Sequence, residues 1–335
     1  MSEHEVPSAC TPFAENAPRP YRGRFAPSPT GPLHFGSLVT AVGSYLQARS
    51  QHGEWLVRME DIDPPREQPG AADAILHALE AYHLHWDGTV LYQSTRADAY
   101  LAALDQLQKQ GDSFPCSCTR TSIANTLASK PPHTSTDGQL IYPGTCRDGL
   151  PAGTTARAIR LRVPARTDTF TDVLQGRIET DLQTQIGDFV VRRADGFFAY
   201  QLAVVVDDAE QQISEIVRGT DLLTSTPPQR YLQSCLGYPH PRYCHLPIVV
   251  NQQGQKLSKQ TFAPAIDIHN PGPTLIKALN YLGLQPDVSL IGAPPATLLS
   301  WAVTQWDLQK LPHQATIFTQ AWPTPSPTNI PNSHS

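Results

Sequence analysis

The stretch RFAPSPTGPLHFGSL, residues 24–38, decides how this chain is read. Its prolines stiffen the backbone, Gly31 and Gly36 permit close approach, and His34 stands at the entrance to a helix. A helix start offers unpaired N–H groups and the favourable end of the dipole, so a nucleotide phosphate placed there would meet His34, Ser37 and the backbone amides. The run matches neither GxxxxGK[ST] nor GxGxxG, which excludes a standard P-loop and a dinucleotide motif. On its N-terminal side, YRGRFAPSP reads as a short strand entering a proline turn. On its other side, LVTAVGSYLQARSQHG places Leu38, Val42, Tyr45 and Leu46 at helical spacing, and WLVRMEDI reads as a strand. Strand, helix, strand is the opening of a doubly wound α/β sheet.

Further along, AADAILHALEAYHL and TRADAYLAALDQLQKQG carry two more helical patterns, the second with Ser94 or Thr95 as N-cap and Gly111 as its stop. From Phe114 the texture changes to loops and short strands. The apolar run QLAVVV, residues 201–206, reads as a buried parallel strand rejoining the main sheet. ALNYLGLQPD and SLIGAPPATLLSWAVTQWDL predict a mostly helical closing region. The expected organisation is a tail over 1–20, halves of the main α/β body at 21–112 and 187–245, an insertion at 113–186, a loop and helical region at 246–321, and a proline-rich tail at 322–335.

With 335 residues and 40 % hydrophobic composition, the chain can fill a proper core, and fibrous or wholly disordered classes are excluded. No stretch approaches the ~20 apolar residues of a bilayer span, and the N-terminus lacks the apolar segment of a secretion signal. Six cysteines in so long a chain do not make a disulfide scaffold, so the expected compartment is the cytoplasm, with no membrane partner. The net charge of −5 excludes a uniformly basic nucleic-acid surface but permits a local basic groove. Arg22, Arg66, Arg192, Arg193 and Arg230 are the candidates for such a groove, none of them individually assigned.

A second signal is NQQGQKLSKQ, residues 251–260, where Lys256 and Lys259 bracket Ser258. Two ammonium groups suit a triphosphate whose charge must be neutralised during attack on its α phosphorus. A third signal is Cys116, Cys118 and Cys146, three soft donors that favour zinc but fall one short of the usual four. From the residues alone His133 would be the fourth, with Tyr142 also near in sequence.

Taken together, HFGS (34–37) and KLSKQ (256–260) resemble the two signature sequences of class I aminoacyl-tRNA synthetases, and RFAPSPTGPLHFG resembles their glutamyl branch. The likeness continues through VRMEDIDPPRE (57–67), FAYQLAVVVDD (198–208) and EIVRGTDLL (215–223), and spans about residues 21–290. Within that branch it is most similar to the short paralogues that act on queuosine in aspartate tRNA. The resemblance implies a Rossmann-type class I catalytic domain with an inserted zinc-containing subdomain and a short, mostly helical C-terminal region. It implies a ligase that activates L-glutamate with ATP and Mg2+ and transfers it to queuosine, the modified first anticodon base of tRNA(Asp). Arg24, Phe25, Ala26, Pro27, Ser28, Glu60, Tyr200 and Arg218 are then expected to line the glutamate pocket. His34, Gly36, Ser37 and Lys259 would hold ATP, with His34, Lys256 and Lys259 catalytic. The second signature departs from the family at Leu257, usually methionine, and at Gln260, usually serine.

Elementary chemistry agrees with that assignment. A diacid that is also an amino acid needs a cationic fork, which Arg24 or Arg218 can supply, and an anion for its ammonium, which Glu60 can supply. For the metal, the family pattern YxxxC selects Tyr142 and Cys146 and implies one structural Zn2+ on Cys116, Cys118, Tyr142 and Cys146; His133 remains the rival ligand. Cys10, Cys235 and Cys244 have no compact spacing. The small number of residues after Leu290 leads us to expect no separate anticodon-reading domain, hence transfer to the anticodon loop in place of the tRNA 3′ end. A truncated glutamyl-tRNA synthetase and a catalytically silent tRNA-binding relative are the alternatives. A monomer is the simplest expectation.

Overall fold

The computed structural model describes residues 20–128, 134, 138, 140–251, 264–311 and 314–318. The opening reading holds. Strand β1 (Arg22–Phe25) leads through the proline turn into helix α1 (Phe35–Ser50), and β2 (Glu54–Met59) returns parallel to β1 with Arg24 beside Leu56. Gly31 in the turn has φ +138°, a backbone that a side chain would strain. Helix α2 (Ala71–Ala81) crosses to β3 (Leu91–Tyr92), again parallel to β2. Helix α3 (Ala97–Lys109) ends at Gly111, whose φ of +77° supplies the expected stop. Its start differs from expectation. Arg96 occupies the N-cap and makes no side-chain capping bond to the helix, while Ser94 donates to Asp61 (Oγ to Oδ2, 2.6 Å) and Thr95 to the Tyr92 carbonyl.

The middle of the chain forms strand β4 (Ser113–Cys116), helix α4 (Arg120–Leu127), strand β5 (Ala158–Leu161), the hairpin β6 (Thr167–Asp172) and β7 (Gly176–Asp181), the single turn α5 (Leu182–Gln185) and strand β8 (Val190–Arg192). Strands β4, β5 and β8 make one antiparallel sheet. Helix α4 lies within the long segment 119–141 and starts on a capping box between Thr119 and Ser122.

The run 201–206 is not a strand. It lies in helix α6 (Tyr200–Glu210), where every residue from Leu202 to Asp208 is buried and Leu202 to Val206 share an apolar cluster with α3 and with α7 (Thr226–Leu236). A helix buried on all sides loses its polar face and with it the period that distinguishes it from a strand. The strand that rejoins the sheet is β9 (Glu215–Gly219), every residue of it buried and parallel to β10 (Arg242–Leu246). The three-stranded sheet β3–β2–β1 and the two-stranded sheet β9–β10 abut where the Ser214 N–H donates to the Arg22 carbonyl, so β9 starts beside β1 and the order across both is β3, β2, β1, β9, β10. The order reverses between β1 and β9, which is where ligands enter sheets of this type, at the carboxyl ends of the strands.

The closing region is helical as expected, with α8 (Pro271–Tyr281) and α9 (Pro295–Gln305) packed on α1. The sequence reading missed one small sheet, in which β11 (Ile248–Val250) pairs in parallel with β12 (Thr316–Phe318). None of the described helices is long and apolar enough to cross a membrane.

Candidate active site

A cavity of about 630 Å3 opens at the carboxyl ends of β1, β2 and β9. Of the residues expected around the substrate, it is lined by Arg24, Phe25, Ala26, Pro27, Ser28, His34, Gly36, Ser37, Glu60, Tyr200 and Arg218. The topology explains the convergence. Residues 24–28 leave the end of β1, Glu60 follows β2, Arg218 is near the end of β9, and Tyr200 opens α6. His34 caps α1, its Nδ1 accepting the Ser37 N–H at 3.2 Å, so the first turn of that helix faces the cavity. Lys256 and Lys259 lie outside the described residues, as does the rival metal ligand His133.

The charges in the cavity wall are held by groups that sequence reasoning missed. Asp208, 4 % exposed, accepts from Arg24 through Nε (3.0 Å) and Nη2 (3.4 Å) and from Arg58 through Nη1 (2.8 Å). Arg58 is fully buried and reaches on to Glu60 at 3.5 Å. Burial alone would push Asp208 towards the neutral form, but Arg24 and Arg58 outweigh it and hold the carboxyl below its ordinary value. For Glu60 the balance goes the other way, since burial raises its pKa and Arg58 and Arg24 only partly offset it. Glu60 is thus an anion short of positive charge on the cavity wall, the condition in which a substrate ammonium is welcome. Burial, followed by the Glu60 charge, pushes the Tyr200 phenol up to about 12, so it is a hydroxyl donor at neutral pH.

The two arginines proposed as carboxylate forks are not equivalent. Arg24 already shares its charge with Asp208. Among the described residues Arg218 has only neutral hydrogen-bond partners: His245 Nε2 (3.0 Å from Nε), Thr226 Oγ1 (2.7 Å from Nη2) and the Leu222 carbonyl. Its Nη1 is buried without a hydrogen-bond partner among the described residues. Glu215 is occupied elsewhere, by Gln47 at 2.8 Å and Arg242 at 3.2 Å.

Four of the five arginines considered for an RNA groove are engaged by acids: Arg22 by Glu54, Arg66 by Asp63, Arg193 by Asp195 and Asp63, and Arg230 by Asp168. Arg192 lies in β8.

In the insertion, the sulfurs of Cys116, Cys118 and Cys146 lie within 4.8 Å of one another, with Cys118 and Cys146 3.6 Å apart. The Tyr142 hydroxyl is 3.4 Å from Cys116 Sγ and 3.5 Å from Cys118 Sγ. Tetrahedral zinc at ~2.3 Å from each sulfur places its ligands roughly 3.8 Å apart, so this donor set fits the ion in number, chemistry and spacing. Arg160 adds a cation beside the thiols, with Nε 3.3 Å from Cys116 Sγ and its guanidinium 4.0 Å above the Tyr142 ring. Cys235 and Cys244 are buried elsewhere, as expected; Cys10 is outside the described residues.

Residues 21–283 match the catalytic domain of the class I tRNA synthetases of the E and Q type. The chain is 56 % identical to the glutamyl-Q tRNA(Asp) synthetase of Dechloromonas aromatica (strain RCB), over 90 % of this chain and 99 % of the relative. It is 55 % identical to that of Thiobacillus denitrificans (strain ATCC 25259 / T1), over 87 % and 94 % respectively. Among solved structures, it superposes on a glutamate tRNA ligase from Elizabethkingia meningosepticum with a TM-score of 0.73 and 25 % identity, covering 89 % of this chain and 67 % of that one. With that domain match and with 56 % and 55 % identity over most of its length, the chain belongs to the class I tRNA synthetase family of the E and Q type and, within it, to the glutamyl-Q tRNA(Asp) synthetases.

Proposed function

We propose that this chain activates L-glutamate with ATP and transfers the glutamyl group to queuosine in the anticodon of tRNA(Asp). The observation that carries the reading is the pairing, on one cavity wall, of an arginine with neutral partners and a carboxylate short of positive charge, Arg218 and Glu60. An amino acid with a second carboxylate satisfies both. Arg218, with Arg24 beside it, receives carboxylate; Glu60 receives the ammonium; Tyr200 donates its hydroxyl. The substrate's own carboxylate is the nucleophile on the α phosphorus and pyrophosphate leaves, so the chain's task is positioning and charge stabilisation, with no protein nucleophile.

ATP is assigned to the start of α1, where His34, Gly36 and Ser37 line the cavity at the positive end of the helix dipole. Mg2+ would travel mainly on the phosphates and water. Lys256 and Lys259 are assigned to the phosphates from the sequence motif alone. Zn2+ in the insertion would be held by Cys116, Cys118, Tyr142 and Cys146 and would act structurally, by tying β4 to the segment after Tyr142. The choice of queuosine over a tRNA 3′ end is supported by the much higher identity to the glutamyl-Q relatives than to the glutamate tRNA ligase. A tRNA acceptor supports a cytoplasmic location.

Pyrophosphate exchange tests the pocket directly. Glutamate should support exchange without tRNA, aspartate should fail because its carboxylates cannot span the two ends of the site, and glutamine should fail because it lacks the second anion. Equal exchange with glutamine would overturn the assignment.

A further inference from the structure

The deepest polar contacts of the cavity wall run backwards from Arg218 into a part of the chain remote in sequence. The parallel pairing of β9 and β10 sets His245 beside Arg218. Behind His245 stands Asp172, at the end of β6 in the hairpin, with its Oδ2 2.6 Å from His245 Nδ1. All three side chains are buried, Asp172 and His245 to within 1 % and Arg218 to 3 %.

The proton positions along this line follow from what each atom is able to do. Oδ1 of Asp172 accepts the backbone N–H groups of Leu174 (3.0 Å), Gln175 (2.9 Å) and His245 (3.2 Å), which fixes the orientation of the carboxylate. Oδ2 is therefore the oxygen facing the imidazole, and since it only accepts, Nδ1 carries the hydrogen. Nε2 is left with a lone pair. It accepts from Arg218 Nε, which is permanently a donor, and lies 3.2 Å from the Thr226 hydroxyl. With Nε held by His245 and Nη2 by Thr226 and Leu222, the guanidinium plane is fixed and Nη1 is the edge that remains.

We propose that His245, set in its Nδ1–H tautomer by Asp172, is a positioning residue for glutamate recognition: it holds Arg218 in place while leaving the whole positive charge to the substrate carboxylate. A carboxylate in the place of His245 would neutralise that charge, as Asp208 does for Arg24; an imidazolium would repel it. The hairpin β6–β7 thus supports the substrate pocket across the sheet, without touching substrate. The proposal rests on the reading that Arg218 meets a carboxylate of glutamate.

The discriminating variant is Asp172→Asn. The three backbone donors keep the amide oxygen in the place of Oδ1, which puts the amide NH2 opposite His245 Nδ1. The ring must then accept at Nδ1 and carry its hydrogen on Nε2, where it faces the Nε–H of Arg218, donor against donor. In pyrophosphate exchange we expect the glutamate KM to rise by about tenfold or more, the scale of one lost hydrogen bond to a charged group, while the ATP KM moves less than about twofold. Nitrogen-15 NMR of the histidine rings, with the His245 signals identified by their loss in His245→Gln, should show Nδ1–H in the wild type and Nε2–H in the variant. An Nε2–H tautomer in the wild type overturns the proposal whether or not the variant folds, and so does an Asp172→Asn enzyme whose two KM values rise together or not at all. Arg218→Gln separates the two layers of the argument. If its glutamate KM is unchanged, the pocket reading itself falls and the proposal with it; if that KM rises while Asp172→Asn behaves as wild type, only the positioning role is lost.

Discussion

Replacing Asp208 by asparagine removes one charge from the centre of the cavity wall while keeping its shape. The carboxylate accepts three guanidinium bonds, at 2.8, 3.0 and 3.4 Å, from two arginines that are themselves 0 and 4 % exposed. Charge-assisted bonds at about 1.5–3 kcal/mol each would together exceed what one side chain usually contributes, but three bonds to one carboxylate are not independent. The better measure is the cost of leaving a buried partner uncompensated, about 3–5 kcal/mol. After the change Arg58 retains Glu60 and Gln211, and Arg24 loses its charged partner. Urea denaturation should therefore show Asp208→Asn less stable by about 3–5 kcal/mol at pH 7, with an unchanged slope. The pH dependence supplies an internal check. The folded state holds Asp208 below its ordinary pKa, so its contribution is complete above the unfolded value of about 4 and is lost as pH falls through the lower folded value. The gap between wild type and variant should stay constant from neutral pH to about 5 and narrow below 4. A deficit under about 1 kcal/mol at pH 7 would refute the idea that Asp208 anchors the two arginines.

Two further outcomes follow from the same account. Protein prepared without chelator should contain one zinc per chain, and elemental analysis below half an equivalent counts against the site; loss of zinc in His133→Ala with retention in Tyr142→Phe would establish the rival ligand set. Lys259→Ala should lower the pyrophosphate exchange rate by about 100-fold, the scale of a lost transition-state stabiliser, and a variant with only a raised ATP KM would contradict that role.

The parts of the fold that sequence made legible are those with an uninterrupted period or a punctuating residue. Helix α1 shows its apolar face in Leu38, Val42 and Leu46, and Gly111 ends α3 where a left-handed residue is needed. Helix α6 was misread because burial on every side erases the period, and the two aspartates that follow Val206 are buried along with the apolar run. Those aspartates were the available signal. Asp207, which accepts from Tyr100, Gln93 and Arg96, and Asp208 both lie on a core helix, where a charge must have a buried partner. Arg58 gave the same hint, as a charge following the apolar run 55–57 in β2. The groups that touch the cavity were legible because they sit in dense motifs. The groups behind them, Asp172 and His245, are 73 residues apart and meet only through the packing of the hairpin on β10, which no local pattern reports. Small pairings such as β11 with β12 are equally silent, three residues being too few to carry a period.

The central claim is the acceptor, and it is tested by supplying aspartate tRNA that contains queuosine but has lost its terminal 3′ diol, by trimming or by periodate under conditions that spare queuosine. The account predicts continued transfer of labelled glutamate to this RNA and none to a matched transcript without queuosine. Transfer that requires an intact 3′ end and ignores queuosine would contradict it.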